Sequence, residues 1–239
     1  MPMRRTIQLL AAMLFFLLFA VQAFAQTPVD VQGSSYEETF AYLSNRGIVN
    51  GYSDGYARLN YALNRAEALK VVMMAQDDNI SRIEWYKEHI PPLSLFTDVK
   101  PKEWYTPYVE VAFEKRVITG YPDGTLRPGA LLRVEEAVAL LMRSFGESGD
   151  TGLFEKSGYI ENRQNEWFTP YINAAIRRNL VRAQTPLKLG YPITRGQFFD
   201  LVYRMHKMHS LGMVAYEEGG TTLPATGGGG STVPSTTSI

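Results

Sequence analysis

The stretch Val117-Ile-Thr-Gly-Tyr-Pro-Asp-Gly-Thr-Leu-Arg-Pro128 decides the fold prediction, because its central part occurs twice in the chain. Gly120-Tyr-Pro-Asp-Gly124 matches Gly51-Tyr-Ser-Asp-Gly55. Each match is followed, at nearly the same distance, by an arginine-bearing segment that begins an apolar stretch. These segments are Asn64-Arg-Ala-Glu-Ala68 and Leu132-Arg-Val-Glu-Glu136. Motifs that recur in the same order and spacing indicate a repeat architecture.

A third, more divergent copy follows the first two. Trp104-Tyr-Thr-Pro-Tyr-Val109 recurs as Trp167-Phe-Thr-Pro-Tyr-Ile172, and Thr194-Arg-Gly-Gln197 matches the arginine-bearing segment. The sequence therefore predicts three repeats. Their expected bounds are 26–75, 95–147 and 148–212, with an insertion at 76–94 between the first two.

Each repeat is predicted to fold as a helix, a loop and a second helix. Thr106 is expected to cap the first helix of the second repeat, with Pro107 at its first position, and Thr169-Pro170 repeats this arrangement. The first helices are expected to end at Gly47, Arg116 and Asn179. Glycine and asparagine tolerate the left-handed conformation of a helix C-terminus, whereas arginine fits it less well. The second helices carry apolar residues at helical spacing, which predicts a shared core.

The arginine-bearing segments have a feature that helix capping alone does not explain. Asn64 with Glu67, and Thr194 with Gln197, satisfy the capping-box pattern, so an arginine follows each cap in the first helical turn. A cation is disfavoured there by the helix dipole. One interpretation is an anion site in which the guanidinium and free backbone N–H groups act together. The alternative is that each arginine pairs with a neighbouring carboxylate of the protein.

The span from Phe96 to Arg143 resembles an S-layer homology repeat. The resemblance is carried by Phe-Thr-Asp-Val at 96–99, by Trp104, by the 117–128 stretch and by Arg133-Val-Glu. It implies an all-α fold in which three helix-loop-helix repeats surround a pseudo-threefold axis with a central helical bundle. It also implies non-covalent anchoring to the cell envelope, through grooves between repeats that bind an acidic, often pyruvylated, secondary cell-wall polysaccharide.

The resemblance also assigns ligand-binding roles to particular residues. The arginines are expected to hold a ligand carboxylate, the tryptophans to stack on a sugar ring, and the Asp-Gly pairs to offer backbone N–H groups to ligand hydroxyls. For the tryptophans the alternative is core packing, and for the Asp-Gly pairs it is turn formation. The expected site residues are Arg65, Arg133, Arg195, Trp104, Trp167, Asp54, Gly55, Asp123 and Gly124.

No single repeat carries the complete family pattern. The first has no tryptophan at the equivalent position, and the third has Ala183-Gln-Thr-Pro186 in place of the Asp-Gly loop. The second has Leu132 where a capping hydroxyl is expected. We therefore expect fewer than three working grooves.

The two ends of the chain carry signals unrelated to the repeats. Residues 1–25 have the charged, apolar and small-residue order of a secretory signal peptide, with cleavage expected after Ala25 and an uncleaved anchor as the alternative. No second membrane span is expected. Residues 213–239 are rich in glycine, serine, threonine and proline and are expected to form a disordered tail. These features predict export to the cell surface.

Several classes of function find little support. With 24 basic and 24 acidic residues, the composition gives no reason to expect a nucleic-acid partner, and the absence of cysteine excludes thiolate metal sites. His206 and His209 form a possible metal-ligand pair without an evident third ligand. No nucleophile elbow or phosphate-binding loop is present, so we expect neither enzymatic activity nor a cofactor. The competing hypothesis is a structural module that contacts other surface-layer proteins through decayed grooves.

Overall fold

The computed structural model describes residues 27–152 and 154–218, and the protein is helical over this part of the chain. The signal-peptide prediction and residues 219–239 of the predicted tail lie outside the described residues. The helices are α1 Glu37–Asn45, α2 Arg65–Met74, α3 Asp77–Glu88, α4 Thr106–Glu114, α5 Val134–Ser144, α6 Thr169–Arg177 and α7 Arg195–Ser210. Among these helices, none combines the length and the apolar character needed to cross a bilayer.

The helices follow the predicted order of two per repeat, with α3 in addition. The second helices α2, α5 and α7 contact one another in all three pairings. Each first helix packs on the second helix of a different repeat: α4 on α2, α6 on α5, and α1 on α7. The repeats are therefore interlocked rather than stacked in a row. The all-α prediction is confirmed, while the pseudo-threefold axis stays a prediction.

A ring of backbone hydrogen bonds joins the three repeats just before the second helices begin. Leu63 N–H donates to the carbonyl of Ile193, Ile193 N–H to that of Leu132, and Leu132 N–H to that of Leu63, each at 2.9 Å. All three side chains are fully buried. Since each repeat donates to one neighbour and accepts from the other, the ring fixes the three helix starts relative to each other.

The predicted ends of the first helices are found at the expected residues. Gly47, Arg116 and Asn179 all have positive φ, at 69°, 57° and 52°. In each case the next residue donates its N–H back into the helix, as Val117 does to Ala112 at 2.8 Å. This is the Schellman arrangement, which satisfies carbonyls at the helix end. Arg116 adopts the conformation in spite of its side chain.

The predicted starts of the first helices are wrong by one residue. Thr106 and Thr169 are the first helical residues rather than the caps, which are Tyr105 and Phe168. The threonine hydroxyls bond to the preceding loop instead, with Thr106 Oγ1 donating to the carbonyl of Lys100 at 3.3 Å. These threonines therefore hold the loop that carries the tryptophans against the helix.

The predicted register of the second repeat is also wrong by one residue. Asn64 and Thr194 cap α2 and α7 through capping boxes, as predicted, but the cap of α5 is Arg133 and not Leu132. Leu132 is buried in the backbone ring. Consequently Arg133 is equivalent to Asn64 and Thr194, and Val134 takes the place that arginine has in the other two repeats.

The segments outside the repeat pattern pack onto the protein. The insertion forms α3, which buries Ile83 and contacts α2 and α4. Arg82 of α3 forms an ion pair with Glu114 of α4 at 2.5 Å. At the other end, Tyr216 is buried and its N–H donates to the carbonyl of Arg178 at 2.9 Å. Tyr216 is thus anchored to the folded part of the chain, although the sequence placed the start of the tail at 213.

Candidate functional site

Two grooves of equivalent construction run beside α2 and α5, and each encloses about 240 Å³. Both combine a loop and second helix from one repeat, an arginine from another repeat and a tryptophan from the remaining one. The first groove is lined by Ile48, Val49, Asn50, Gly51, Tyr52, Glu67, Lys70, Val71, Trp104, Arg195 and Phe199. The second groove is lined by Arg65, Val117, Ile118, Thr119, Gly120, Tyr121, Leu126, Glu136, Ala139, Leu140, Arg143 and Trp167.

An arginine, a glutamate and a tyrosine form the inner wall of the first groove. Arg195 Nη1 donates to Glu67 Oε1 at 3.2 Å, and its Nε donates to the carbonyl of Ala57 at 3.0 Å. The guanidinium lies over the ring of Tyr52, 5.0 Å from its centroid. Arg195 Nη2 makes no hydrogen bond within the described residues, so it keeps donors for a further partner.

The second groove repeats this cluster with different residues. Arg65 Nη2 donates to Glu136 Oε1 at 2.8 Å and also to the hydroxyl of Tyr121. Burial alone would raise the pKa of Glu136, but the N–H of Arg133 and the guanidinium of Arg65 outweigh it and hold the pKa below its usual value. Within the described residues Arg65 Nη1 makes no hydrogen bond. Both arginines are therefore partly committed to the protein's own carboxylates.

The free amide donors expected at the helix starts, as one part of the predicted anion site, are not found there. The first N–H groups of α2 are occupied: Arg65 N–H donates to the carbonyl of Ala130 at 3.0 Å and Ala66 N–H to that of Pro128 at 2.9 Å. Glu67 N–H donates to the capping side chain of Asn64 at 2.9 Å. At the start of α7 the first N–H groups likewise donate to carbonyls of the first repeat. The amides at these helix starts are therefore not available to an anion in the grooves.

Arg133 lies apart from the other two predicted arginines. As the cap residue of α5 it is exposed and lines neither groove. Its backbone N–H donates to Glu136 Oε2 at 3.0 Å, so its main chain supports the second groove indirectly. Because the second repeat is shifted by one residue, Arg133 is not equivalent to Arg65 and Arg195. Its position therefore gives no reason to expect a contact with a ligand.

Trp104 and Trp167 are presented to the grooves in the same way. Their exposed fractions are 54% and 55%, which contradicts the alternative that they fill the core. Each is braced edge-on by the next aromatic residue, Tyr105 at 5.3 Å and Phe168 at 5.6 Å between ring centroids. A half-exposed aromatic ring on a rigid support can stack on the apolar face of a sugar.

The Asp-Gly pairs form turns rather than groove walls. Asp54 accepts the N–H of Tyr56 at 3.2 Å and pairs with Arg58 at 2.9 Å. Asp123 makes the corresponding bond from Thr125 at 3.0 Å and pairs with Arg127 at 2.9 Å. Gly55 and Gly124 follow with φ of 83° and 76°, which glycine adopts readily. None of the four residues lines either groove.

Each groove contains a second cation that the sequence analysis missed. Lys70 of α2 lines the first groove, and Arg143 of α5 lines the second. Each lining therefore has two basic side chains and one acidic side chain, a net positive charge. Lys70 follows buried Leu69 and Arg143 follows buried Met142, and a charge in such an apolar stretch would have been the signal for a groove position.

The third equivalent position has lost its binding residues. Val134, Gln197 and Gln184 stand where the grooves have arginine, glutamate and tyrosine, and Ser35 stands where they have tryptophan. The space near Ser35 is taken by protein contacts. Arg182 donates to the carbonyl of Ser35 at 2.8 Å and pairs with buried Asp200 at 2.8 Å. The expectation of fewer than three grooves is consistent with this arrangement.

The histidine pair has partners of its own. His206 Nδ1 lies 2.9 Å from the hydroxyl of Tyr42, and His209 Nε2 lies 3.1 Å from Glu147 Oε1. Residues 27–152 and 154–218 contain no group of three or more potential metal-ligating side chains placed to hold an ion. The histidines therefore give no support to a metal centre.

Comparison with known proteins finds a family match in two segments of the chain. The family model described as S-layer homology domain matches residues 29–69 and 95–133, which lie in the first and second repeats.

Several cell-surface proteins share part of this sequence. The chain is 25% identical over 185 residues to the middle cell wall protein of Brevibacillus brevis, covering 77% of this chain and 16% of that protein. It is 24% identical over 148 residues to the surface layer protein of Brevibacillus choshinensis, covering 60% and 13%. It is 30% identical over 109 residues to the cellulosome-anchoring protein of Acetivibrio thermocellus, covering 43% and 22%. The chain thus spans less than a quarter of the length of each relative.

Proposed function

Because this chain is an S-layer homology domain protein, we propose that it anchors itself to the cell envelope by binding an acidic wall polysaccharide in its two grooves. The protein belongs to the cell surface or envelope, as do the wall and surface-layer relatives that it matches. The name of the cellulosome-anchoring relative supports an attachment role. The nature of the polymer, including a pyruvylated sugar, is part of the proposal.

The observation that carries the proposal is the pairing of an exposed tryptophan with excess positive charge in both grooves. Trp104 faces the cluster of Arg195 and Lys70, and Trp167 faces that of Arg65 and Arg143. An aromatic ring and a cation together suit a sugar that carries a carboxylate, since stacking holds the ring and the cation holds the acid. A volume of about 240 Å³ has room for about one sugar residue.

The arginines in this proposal have a dual role. Glu67 and Glu136 fix the orientation of Arg195 and Arg65, while each guanidinium keeps a free Nη group for the ligand. A carboxylate held this way meets a donor that is already positioned, so less side-chain freedom is lost on binding. The internal ion pairs therefore prepare the arginines for a ligand rather than replace it.

Weak individual grooves are sufficient for this role. A wall polymer presents many copies of its acidic sugar, and the chain presents two grooves on one rigid body. Once one groove is occupied, the second binds at a high effective concentration. Retention on the wall can then be strong although each groove on its own binds weakly.

The replaced residues of the third position favour a second candidate function, that of a structural module contacting other surface-layer proteins. At this position Arg182 bonds to the carbonyl of Ser35 and pairs with Asp200. That interpretation leaves two matched tryptophan grooves without a purpose, so we place it second. No arrangement in the described residues suggests catalysis by the chain, and the family is a surface-attachment module.

Binding to purified cell-wall sacculi tests the proposed function. The protein is incubated with sacculi that carry their acidic polymer and with sacculi from which that polymer has been chemically removed, and the bound fraction is measured by sedimentation. We expect retention on the first and loss on the second. Equal retention on both would favour protein or nonspecific contacts and would contradict polysaccharide binding.

A further inference from the structure

The second cations of the two grooves, Lys70 and Arg143, lie at different heights along equivalent helices. The level of a residue is its position along the helix, counted from the equivalent glutamate. Glu67 of α2 and Glu136 of α5 stand at the same position, the third residue of each helix. Counted from these glutamates, Arg143 comes four residues later in its helix than Lys70 does. Four residues are about one helical turn, or about 6 Å along the axis, so both side chains project from the same face.

Each of the two helices has an uncharged residue at the level where the other helix has its cation. Ala139 of α5 stands at the level of Lys70, and Met74 of α2 stands at the level of Arg143. Each groove therefore keeps a net charge of the same sign, but its second cation lies one turn away from that of the other groove. Total charge is preserved while its location is not.

The surroundings of the two cations differ accordingly. Lys70 is half-buried, and its ammonium group bonds to no other residue in the described part of the chain. Lys70 and Arg195 line the same groove, and burial together with the charge of Arg195 lowers the pKa of Lys70. A second cation held next to a guanidinium without a paired acid of its own is an incomplete site for an anion.

Arg143 lies one helical turn farther along its helix than Lys70 does. Its Nε donates to the hydroxyl of Tyr171 at 3.0 Å, and its guanidinium lies over that ring, 5.0 Å from the centroid. Tyr171 belongs to α6, the helix that follows Trp167. Arg143 is thus tied to the tryptophan-bearing wall.

On the basis of the proposed function, we propose that the two grooves bind the carboxylate of an acidic sugar in different places. In the first groove Lys70 holds the carboxylate beside Arg195, and in the second groove Arg143 holds it one helical turn farther along. Lys70 and Arg143 are then specificity-determining residues. The two grooves are not interchangeable: each accepts a different position of the acid relative to the stacked sugar ring.

The tryptophans allow each groove to be observed separately. The chain has three tryptophans, and Trp85 on α3 lines neither groove. Trp85→Phe with Trp167→Phe leaves Trp104 as the reporter of the first groove, and Trp85→Phe with Trp104→Phe leaves Trp167 for the second. Short fragments of the acidic polymer, released from sacculi, serve as the probe in fluorescence titrations.

We expect Lys70→Ala to weaken fragment binding by about tenfold at the Trp104 reporter and to leave the Trp167 reporter unchanged. Arg143→Ala should do the reverse. Lys70→Arg should retain most of the affinity, since it keeps a cation at the same level. If each alanine variant weakens both reporters equally, or neither, the assignment is overturned.

A relocation variant separates the position of the charge from its amount. Lys70→Ala combined with Met74→Arg restores the charge of the first groove but moves it one turn, to the level of Arg143. We expect no recovery at the Trp104 reporter, whereas full recovery would show that only total charge matters and would overturn the inference. If neither reporter responds to fragments in the parent proteins, the proposed function itself fails, a result distinct from a response that ignores Lys70 and Arg143.

Discussion

At the scale of single residues, neighbouring positions decide whether a charged side chain serves binding or structure. Arg65 and Arg195 follow their helix caps and enter grooves, whereas Arg133 is itself a cap and stays outside. The sequence placed all three in one class because Leu132-Arg-Val-Glu aligns with the motif in a second register. A capping hydroxyl would have fixed the register, and the second repeat has none.

Asp30 shows a structural use of a charged residue that the sequence analysis did not assign. Its carboxylate accepts the N–H groups of Ala57 and Leu59 at 2.7 and 3.0 Å, which fastens the loop to the start of the first repeat. Asp98 does the same for the second repeat with Leu126 and Arg127. Burial alone would raise the pKa of Asp30, but these backbone donors outweigh it and lower the pKa below 3.8.

We predict that Asp30→Asn lowers the free energy of unfolding at pH 7 by about 1–2 kcal/mol, since an amide satisfies one N–H and opposes the other. The lowered pKa means that the carboxylate stabilises the fold above its unfolded-state pKa and loses this effect as the pH falls below about 3.8. The difference between wild type and variant in urea unfolding should therefore shrink in acid. An exposed control, Glu88→Gln, should show little change, and a constant difference at all pH values would contradict the account.

At the scale of elements, local signals predicted the ends of helices better than their starts. Gly47, Arg116 and Asn179 end the first helices where expected, because glycine and asparagine mark this end in two repeats and Arg116 occupies the equivalent position in the other. Thr106 was misplaced because threonine can cap a helix or bond to the loop before it, and the sequence does not distinguish the two. Helix α3 was not predicted as a packed element, since its buried residues Ile83 and Tyr86 are few.

Arg116 offers a direct measure of strain at a helix end. A side chain in the left-handed region costs about 1–2 kcal/mol, so replacing it with glycine relieves strain in the folded state. Part of that stabilisation is lost because glycine has more conformational freedom in the unfolded chain. We predict that Arg116→Gly raises the free energy of unfolding by about 0.5–1 kcal/mol. Gly47→Ala, at the equivalent residue of the first repeat, should lower it by about 1 kcal/mol. Thermal unfolding of both variants checks the pair, and destabilisation by Arg116→Gly would contradict it.

At the scale of the whole molecule, the repeats build sites that no single repeat contains. The backbone ring of Leu63, Leu132 and Ile193 brings an arginine from one repeat to the glutamate of the next and the tryptophan of another. The sequence predicted the repeats and the tryptophans, because both recur within the chain. It did not predict the second cations, since Lys70 and Arg143 occupy different levels and do not recur.

Attachment of the protein to the wall is predicted to depend on the two groove tryptophans. The most direct measurement is sedimentation of the double variant Trp104→Ala/Trp167→Ala with polymer-bearing sacculi, beside Trp85→Ala as the matched control outside the grooves. Both tryptophans are half-exposed, so the double variant should keep its helical circular dichroism. We expect the double variant to lose nearly all retention and the control to remain bound like wild type. A folded double variant that stays on the sacculi would contradict anchoring through these grooves.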